Sequence, residues 1–215
     1  MNQDYTIGKN LDRSMGEITR VCVYCGSSPG NDPDFIRAAT RFGEILADNG
    51  VGLVYGGGAR GLMGAVATAV QARGGDIIGI IPEFLTEREH MFTGAHELVI
   101  TRDMHERKRI MFERSDAFVA LPGGIGTLEE MVEQLTWAQL GRHRKPVLLA
   151  NLKGFWDSLI DVFTHMSRLG FVHSAATLNY VITDNVEDIL PALRAAAARV
   201  SEDEKAGEPE TVRRL

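Results

Sequence analysis

Ala117-Phe118-Val119-Ala120-Leu121-Pro122-Gly123-Gly124-Ile125-Gly126-Thr127-Leu128-Glu129-Glu130 reads as a buried strand, a glycine turn and the first turn of a helix. Glycine permits positive φ and close approach of main-chain N–H groups to a ligand. A helix that starts at such a turn aims its free N–H groups and its positive dipole end at one point. The stretch therefore predicts an α/β unit carrying an anion cradle at a strand end. Glu129 and Glu130 follow within one turn, so a carboxylate stands within reach of whatever the cradle holds.

Working outward, the same alternation recurs. Val21–Tyr24, Gly52–Tyr55, Ile77–Ile81, Leu98–Thr101, Ala117–Leu121, Val147–Ala150 and Tyr180–Thr183 read as strands. They are mostly apolar and not alternating, as expected of parallel strands covered on both faces. Helical patterns fill the gaps at Pro33–Asn49, Leu62–Arg73, Met104–Arg114, Thr127–Leu140, Phe155–Leu169 and Val186–Val200, with Pro191 setting off the first turn of the last. The expected architecture is one doubly wound α/β domain over residues 18–200, built on a parallel sheet of about seven strands. Residues 1–17 read as a flexible arm, and residues 201–215 as a charged, disordered tail. The pattern-poor stretch Pro82–Ala95 reads as a site wall or lid, with Phe84, Leu85, Met91 and Phe92 lining a pocket or packing on the core.

The chain's 215 residues carry a net charge of -6, which argues against a nucleic-acid binder. No apolar run approaches a membrane span and the first residues are too polar for a secretory signal, so a cytoplasmic protein is expected. The two cysteines, Cys22 and Cys25, form a C-x-x-C, but strand alternation sends them to opposite faces. A buried thiol and a loop thiol are expected, with no metal site.

Ligands of open α/β sheets bind beyond the C-terminal strand ends. Four segments gather there: Cys25–Gly30, Gly56–Gly64, Asp103–Lys108 and the opening stretch. Gly56, Gly58 and Gly61 match G-x-G-x-x-G, but they follow the second strand and no ribose-holding acid ends the third, so no nicotinamide or flavin is expected. No G-K-[S/T] follows either glycine loop, which excludes a Walker-type triphosphate site. Tight turns alone account for some glycines; three in succession, Gly56–Gly58, favour close approach to a ligand. Arg107-Lys108-Arg109 lies near a helix start, where cations oppose the dipole unless an anion compensates. Arg107 and Lys108 are therefore candidates to meet that anion, while Arg109 faces solvent. Leu128, Met131, Val132, Leu135 and Ala138 mark the expected buried stripe of the helix from Thr127, with Glu129, Glu130 and Glu133 off it. Among the histidines only His105 sits near the cluster, and solvent exposure is expected for the others.

Pro122-Gly123-Gly124-Ile125-Gly126-Thr127-Leu128-Glu129-Glu130 matches P-G-G-x-G-T-x-x-E. Together with Gly56–Gly58, Met104-His105-Glu106-Arg107-Lys108 and Leu135–Gly141, it resembles the LONELY GUY family of cytokinin riboside 5′-monophosphate phosphoribohydrolases, from about Val21 to Leu190. The resemblance implies a Rossmann-like fold and hydrolysis of the N-glycosidic bond of an adenosine 5′-monophosphate-type nucleotide to free base and ribose 5-phosphate. It implies no cofactor, no pyridoxal phosphate and at least a homodimer with its site near the subunit boundary. By similarity Arg107 and Glu130 are the catalytic pair. The implied substrate contacts are Ser27, Gly57, Gly58, Met63, Glu89, Lys108, the run Pro122, Gly123, Gly124, Ile125, Gly126, Thr127, Leu128 and Glu129, and Thr136. The competing expectation is a non-catalytic nucleotide sensor or carrier of the same fold, which would need neither Arg107 nor Glu130.

Overall fold

The computed structural model describes residues 17–86, 90–172 and 180–205. The expected arm, Glu89 and the tail beyond residue 205 lie outside them, apart from Glu17. Strands β1 (Arg20–Tyr24), β2 (Gly52–Tyr55), β3 (Ile77–Pro82), β4 (Glu97–Thr101), β5 (Ala117–Ala120), β6 (Val147–Ala150) and β7 (Tyr180–Thr183) form one sheet in the order β4-β3-β2-β1-β5-β6-β7. Every pairing is parallel. The chain winds from β1 out to β4, then returns to the other side of β1 with β5. The switch point is the β1/β5 gap, where a doubly wound sheet opens its crevice.

Helices α1 (Pro33–Asp48), α2 (Gly61–Ala72) and α6 (Ile189–Lys205) cover one face; α3 (Met104–Glu113), α4 (Ile125–Gln139) and α5 (Asp157–Arg168) cover the other. Alternation along β1 sends Val21 and Val23 to the first layer and Cys22 and Tyr24 to the second. Cys25, beyond the strand end, joins the first layer, so the two thiols do lie on opposite faces. Burial of side chains such as Phe42, Leu53 and Ile77 contributes about 2 kcal/mol each. Among the described residues, no helix is long and apolar enough to cross a membrane.

Several boundaries differ from the sequence expectation for local reasons. α4 begins two residues early, because Gly124 is extended and serves as its N-cap. α5 begins late: Leu152–Gly154 makes a separate 3-10 turn, with Lys153 at φ 55. A second 3-10 turn, Val186–Asp188, precedes α6, so Pro191 falls in the first turn, where its missing N–H costs nothing. α6 then runs past Val200 to Lys205 with Ser201 buried, so the first five residues of the expected tail are helical.

His143 corrects another expectation. It is packed against Phe112 and Phe118, donates from Nε2 to the Gln134 carbonyl at 3.1 Å and accepts at Nδ1 from the Lys145 N–H at 3.1 Å. Burial holds its imidazole below the usual value, and the Lys145 charge adds to that. A depressed folded-state pKa means the full contribution is present above the unfolded value and is lost as pH falls. Thermal melts should therefore lose stability as pH falls below the usual imidazole range, with a shallower slope in His143→Gln.

Candidate active site

One residue laces the loops at the switch point. Gly26, just beyond β1, donates its N–H to the Pro122 carbonyl at 3.1 Å. Its own carbonyl accepts from Leu62 N at 2.9 Å and Met63 N at 3.3 Å, which consumes first-turn donors of α2. Those two donors at the start of α2 are therefore tied to protein.

The start of α4 is different. Gly124 caps it without any side-chain hydrogen bond, whereas Asp32 caps α1 and Asp103 caps α3. A Cβ at Gly124 or Gly126 would meet nothing within 4 Å, so the cradle faces open space. First-turn N–H groups have no intrahelical partner, and here no side chain replaces one. Gly124 also sits at φ -90 and ψ -159, which any residue can adopt. Gly124→Asp should therefore leave stability unchanged or raise it by a few tenths of a kcal/mol through capping. The same carboxylate would occupy the anion position, and KM for a nucleotide should rise by about tenfold or more. Parallel melting curves and steady-state rates check both signs.

Beside the cradle stands a buried charge cluster. Arg107 projects from α3, with its side chain 7% exposed, across the ends of β2 and β3. Its Nε donates to the Ile80 carbonyl at 3.1 Å and its Nη2 to the Gly56 carbonyl at 3.3 Å. Nη1 faces Glu130 Oε1 at 3.8 Å, and that carboxylate is itself 11% exposed. A separation of 3.8 Å is an ion pair short of a hydrogen bond. Lys108 Nζ is shared between Glu129 at 2.6 Å and Glu133 at 3.0 Å. Burial works to lower the Lys108 ammonium, but the two carboxylates outweigh it and hold it above its ordinary value.

The inward face of α4 corrects the expected stripe. Thr127, Glu130, Met131, Gln134 and Leu135 are buried, while Val132 is 37% exposed. Glu130 thus lies on the core face, turned toward Arg107. Glu129 is half exposed. Arg109 pairs with Glu113 on the surface as expected, and His105 is exposed.

The other expected contacts are spread over several places. Pro122, Gly123, Gly124, Ile125, Gly126 and Thr127 surround the cradle, with Ile125 81% exposed and Thr127 buried. Ser27 is exposed on the β1 loop, and Met63 is buried against Gly56. Gly57 and Gly58 are strapped by Phe92 N, which donates to the Gly57 carbonyl at 2.9 Å, and by the Gly58–Met91 bridge. Leu128 packs on the second layer, and Thr136 is exposed about two and a half turns below the cradle. The wall after β3 also splits: Phe92 packs on the core, whereas Phe84 is 58% exposed. Sequence reasoning did not assign a role to Glu133, although its place one turn beyond Glu129 was the available signal.

An anion cradle at the switch point of a parallel sheet is the arrangement of a Rossmann-like nucleotide-binding protein. The family model described as "Possible lysine decarboxylase" matches residues 63–193. The chain is 40% identical over 211 residues to the probable cytokinin riboside 5′-monophosphate phosphoribohydrolase LOG4 of Oryza sativa subsp. japonica, covering 98% of this chain and 92% of that one. It is 42% identical over 180 residues to the enzyme of that name, LOG7, of Arabidopsis thaliana, covering 84% and 83%. The chain belongs to this family, the LONELY GUY phosphoribohydrolases. The Moco carrier protein of Chlamydomonas reinhardtii superposes with a TM-score of 0.64 at 19% identity, over 85% of this chain and 99% of that one. The molybdenum cofactor binding protein of Rippkaea orientalis gives 0.61 at 19%, over 83% and 97%. At such identity the likeness carries the fold alone.

Proposed function

We propose that the protein hydrolyses the N-glycosidic bond of an adenosine 5′-monophosphate-type nucleotide, either AMP or an N6-substituted cytokinin riboside monophosphate, to free base and ribose 5-phosphate. The observation that carries this reading is the buried Arg107–Glu130 pair, 3.8 Å apart and one turn from the uncapped start of α4. Loss of a base from ribose passes through an oxocarbenium-like state, positive at the anomeric carbon. A shielded carboxylate stabilises that charge, or activates the attacking water, far better than one in bulk solvent. The 5′-phosphate, seated on the α4 N–H groups, supplies remote binding energy that holds the sugar in place. Arg107, pinned by two carbonyls, fixes the orientation of Glu130.

The relatives' names agree with hydrolysis and lend nothing to a non-catalytic sensor. The family model's description points to lysine decarboxylation, which needs a neutral lysine amine for a Schiff base. Lys108, the lysine at the site, is held protonated by two carboxylates. The reading is tested by incubating the protein with AMP, isopentenyladenosine monophosphate, CMP and GMP and separating the products. Adenine or its N6-substituted form should appear with ribose 5-phosphate; no base from any of the four overturns it.

A homodimer belongs to the same proposal. Val132, Thr136 and Leu140, the last 71% exposed, share the outer flank of α4 with Ile125. Thr136, a nucleotide contact by family resemblance, is too far down the helix to serve its own cradle and would serve a second copy's. Light scattering coupled to gel filtration should give twice the chain mass.

A further inference from the structure

The sulfur atoms of this chain differ sharply in accessibility. Cys22 and Cys25 are both buried, and burial pushes their thiols well above the usual range, so neither offers a thiolate to an oxidant. Met63, on one side of the Arg107 guanidinium, is 7% exposed. Met104 is half-buried at the first position of α3, and its Sδ lies 3.8 Å from Arg107 Nη1. That nitrogen is the one that faces Glu130 Oε1, also at 3.8 Å. Nε and Nη2 are committed to carbonyls, so Nη1 stands between a weak thioether acceptor and the carboxylate.

We propose that Met104 is an oxidation site through which a peroxide switches the Arg107–Glu130 pair off; the inference rests on the hydrolase reading above. A sulfur lone pair attacks one peroxide oxygen, the S–O bond forms and the O–O bond breaks. Sulfur loses two electrons to become a sulfoxide, and the remaining peroxide oxygen takes up the proton and leaves as water. The new oxygen is a strong acceptor on an atom already beside Nη1. It takes that donor from Glu130 and turns a flexible apolar side chain into a polar one, and methionine sulfoxide reductases reverse the change.

The test treats wild type and Met104→Leu with graded hydrogen peroxide and follows base release from AMP, each relative to its own untreated rate. Peptide mass spectrometry locates the added oxygen. Wild-type activity should fall about tenfold or more in step with Met104 oxidation, return with a sulfoxide reductase, and survive in Met104→Leu. Equal losses in both proteins overturn the inference. So does full Met104 oxidation with the rate retained, or oxidation at the exposed Met166 while Met104 stays reduced. An untreated protein that releases no base overturns the hydrolase reading instead. The Met104 inference is then decided by AMP affinity, which should weaken on oxidation only in the protein that carries Met104.

Discussion

Glu130→Gln should release base about a thousandfold more slowly than wild type while binding AMP with nearly unchanged affinity. The substitution keeps the shape and removes the charge, so it removes an interaction that matters when the anomeric carbon turns positive. A thousandfold corresponds to about 4 kcal/mol of transition-state stabilisation, a reasonable figure for one charge acting where water is excluded. The Glu130 side chain meets that condition at 11% exposure, with Arg107 as its neighbour. Glu129→Gln is the matched control. Its carboxylate is half exposed and already spent on Lys108, so its loss should change the rate by less than about tenfold. Calorimetric titration with AMP and chromatography of released base separate binding from turnover for both variants. Wild-type-like turnover in Glu130→Gln, or equal losses in the two variants, would falsify the assignment of the catalytic carboxylate.

Why Glu130 and not Glu129 is a question that the sequence pattern answers only in part. All seven strands are legible because their apolar runs leave few alternatives, and Gly52–Tyr55, Val147–Ala150 and Tyr180–Thr183 match residue for residue. The cradle is legible too, since glycines between a strand and a helix have few other uses. The orientation of α4 is not. A hydrophobic stripe assumes that carboxylates face water, yet here Thr127, Glu130 and Gln134 turn inward while Val132 turns out. The inversion becomes tolerable only because Arg107, from a different helix, arrives opposite Glu130, and no local pattern in α4 records that partner. The outward Val132 and Leu140 are the other half of the inversion, and they are what a second copy would cover.

The same long-range logic explains Gly56, and it sets the second large effect. Gly56→Ala should lower kcat for base release by about a hundredfold, beyond what its modest loss of melting temperature accounts for. The three glycines after β2 suggested close approach to a ligand, but at Gly56 the close neighbour is the enzyme's own arginine. A Cβ there would overlap Arg107 Nη2 and stand 3.1 Å from Met63 Sδ. Nη2 would have to leave the Gly56 carbonyl, and the guanidinium could not then keep its Ile80 contact and its approach to Glu130 together. The guanidinium tip is the flexible end of a long side chain and can shift, but doing so gives up a buried carbonyl contact and the approach to Glu130, so geometry and stability both suffer. Gly57→Ala should behave in the opposite way. Gly57 has φ +79, and a Cβ would also meet Ile81 at 3.2 Å, so alanine there costs about 1–2 kcal/mol of stability. Its effect on kcat should be smaller, because a Cβ there meets Ile80 and Ile81 and not Arg107. Two adjacent glycines thus separate the roles: one makes room for the Arg107 guanidinium, the other lets the backbone turn. Melting curves and kcat measured on both variants decide between them, and a Gly56→Ala enzyme with wild-type kcat would mean that the position of Arg107 does not limit the reaction.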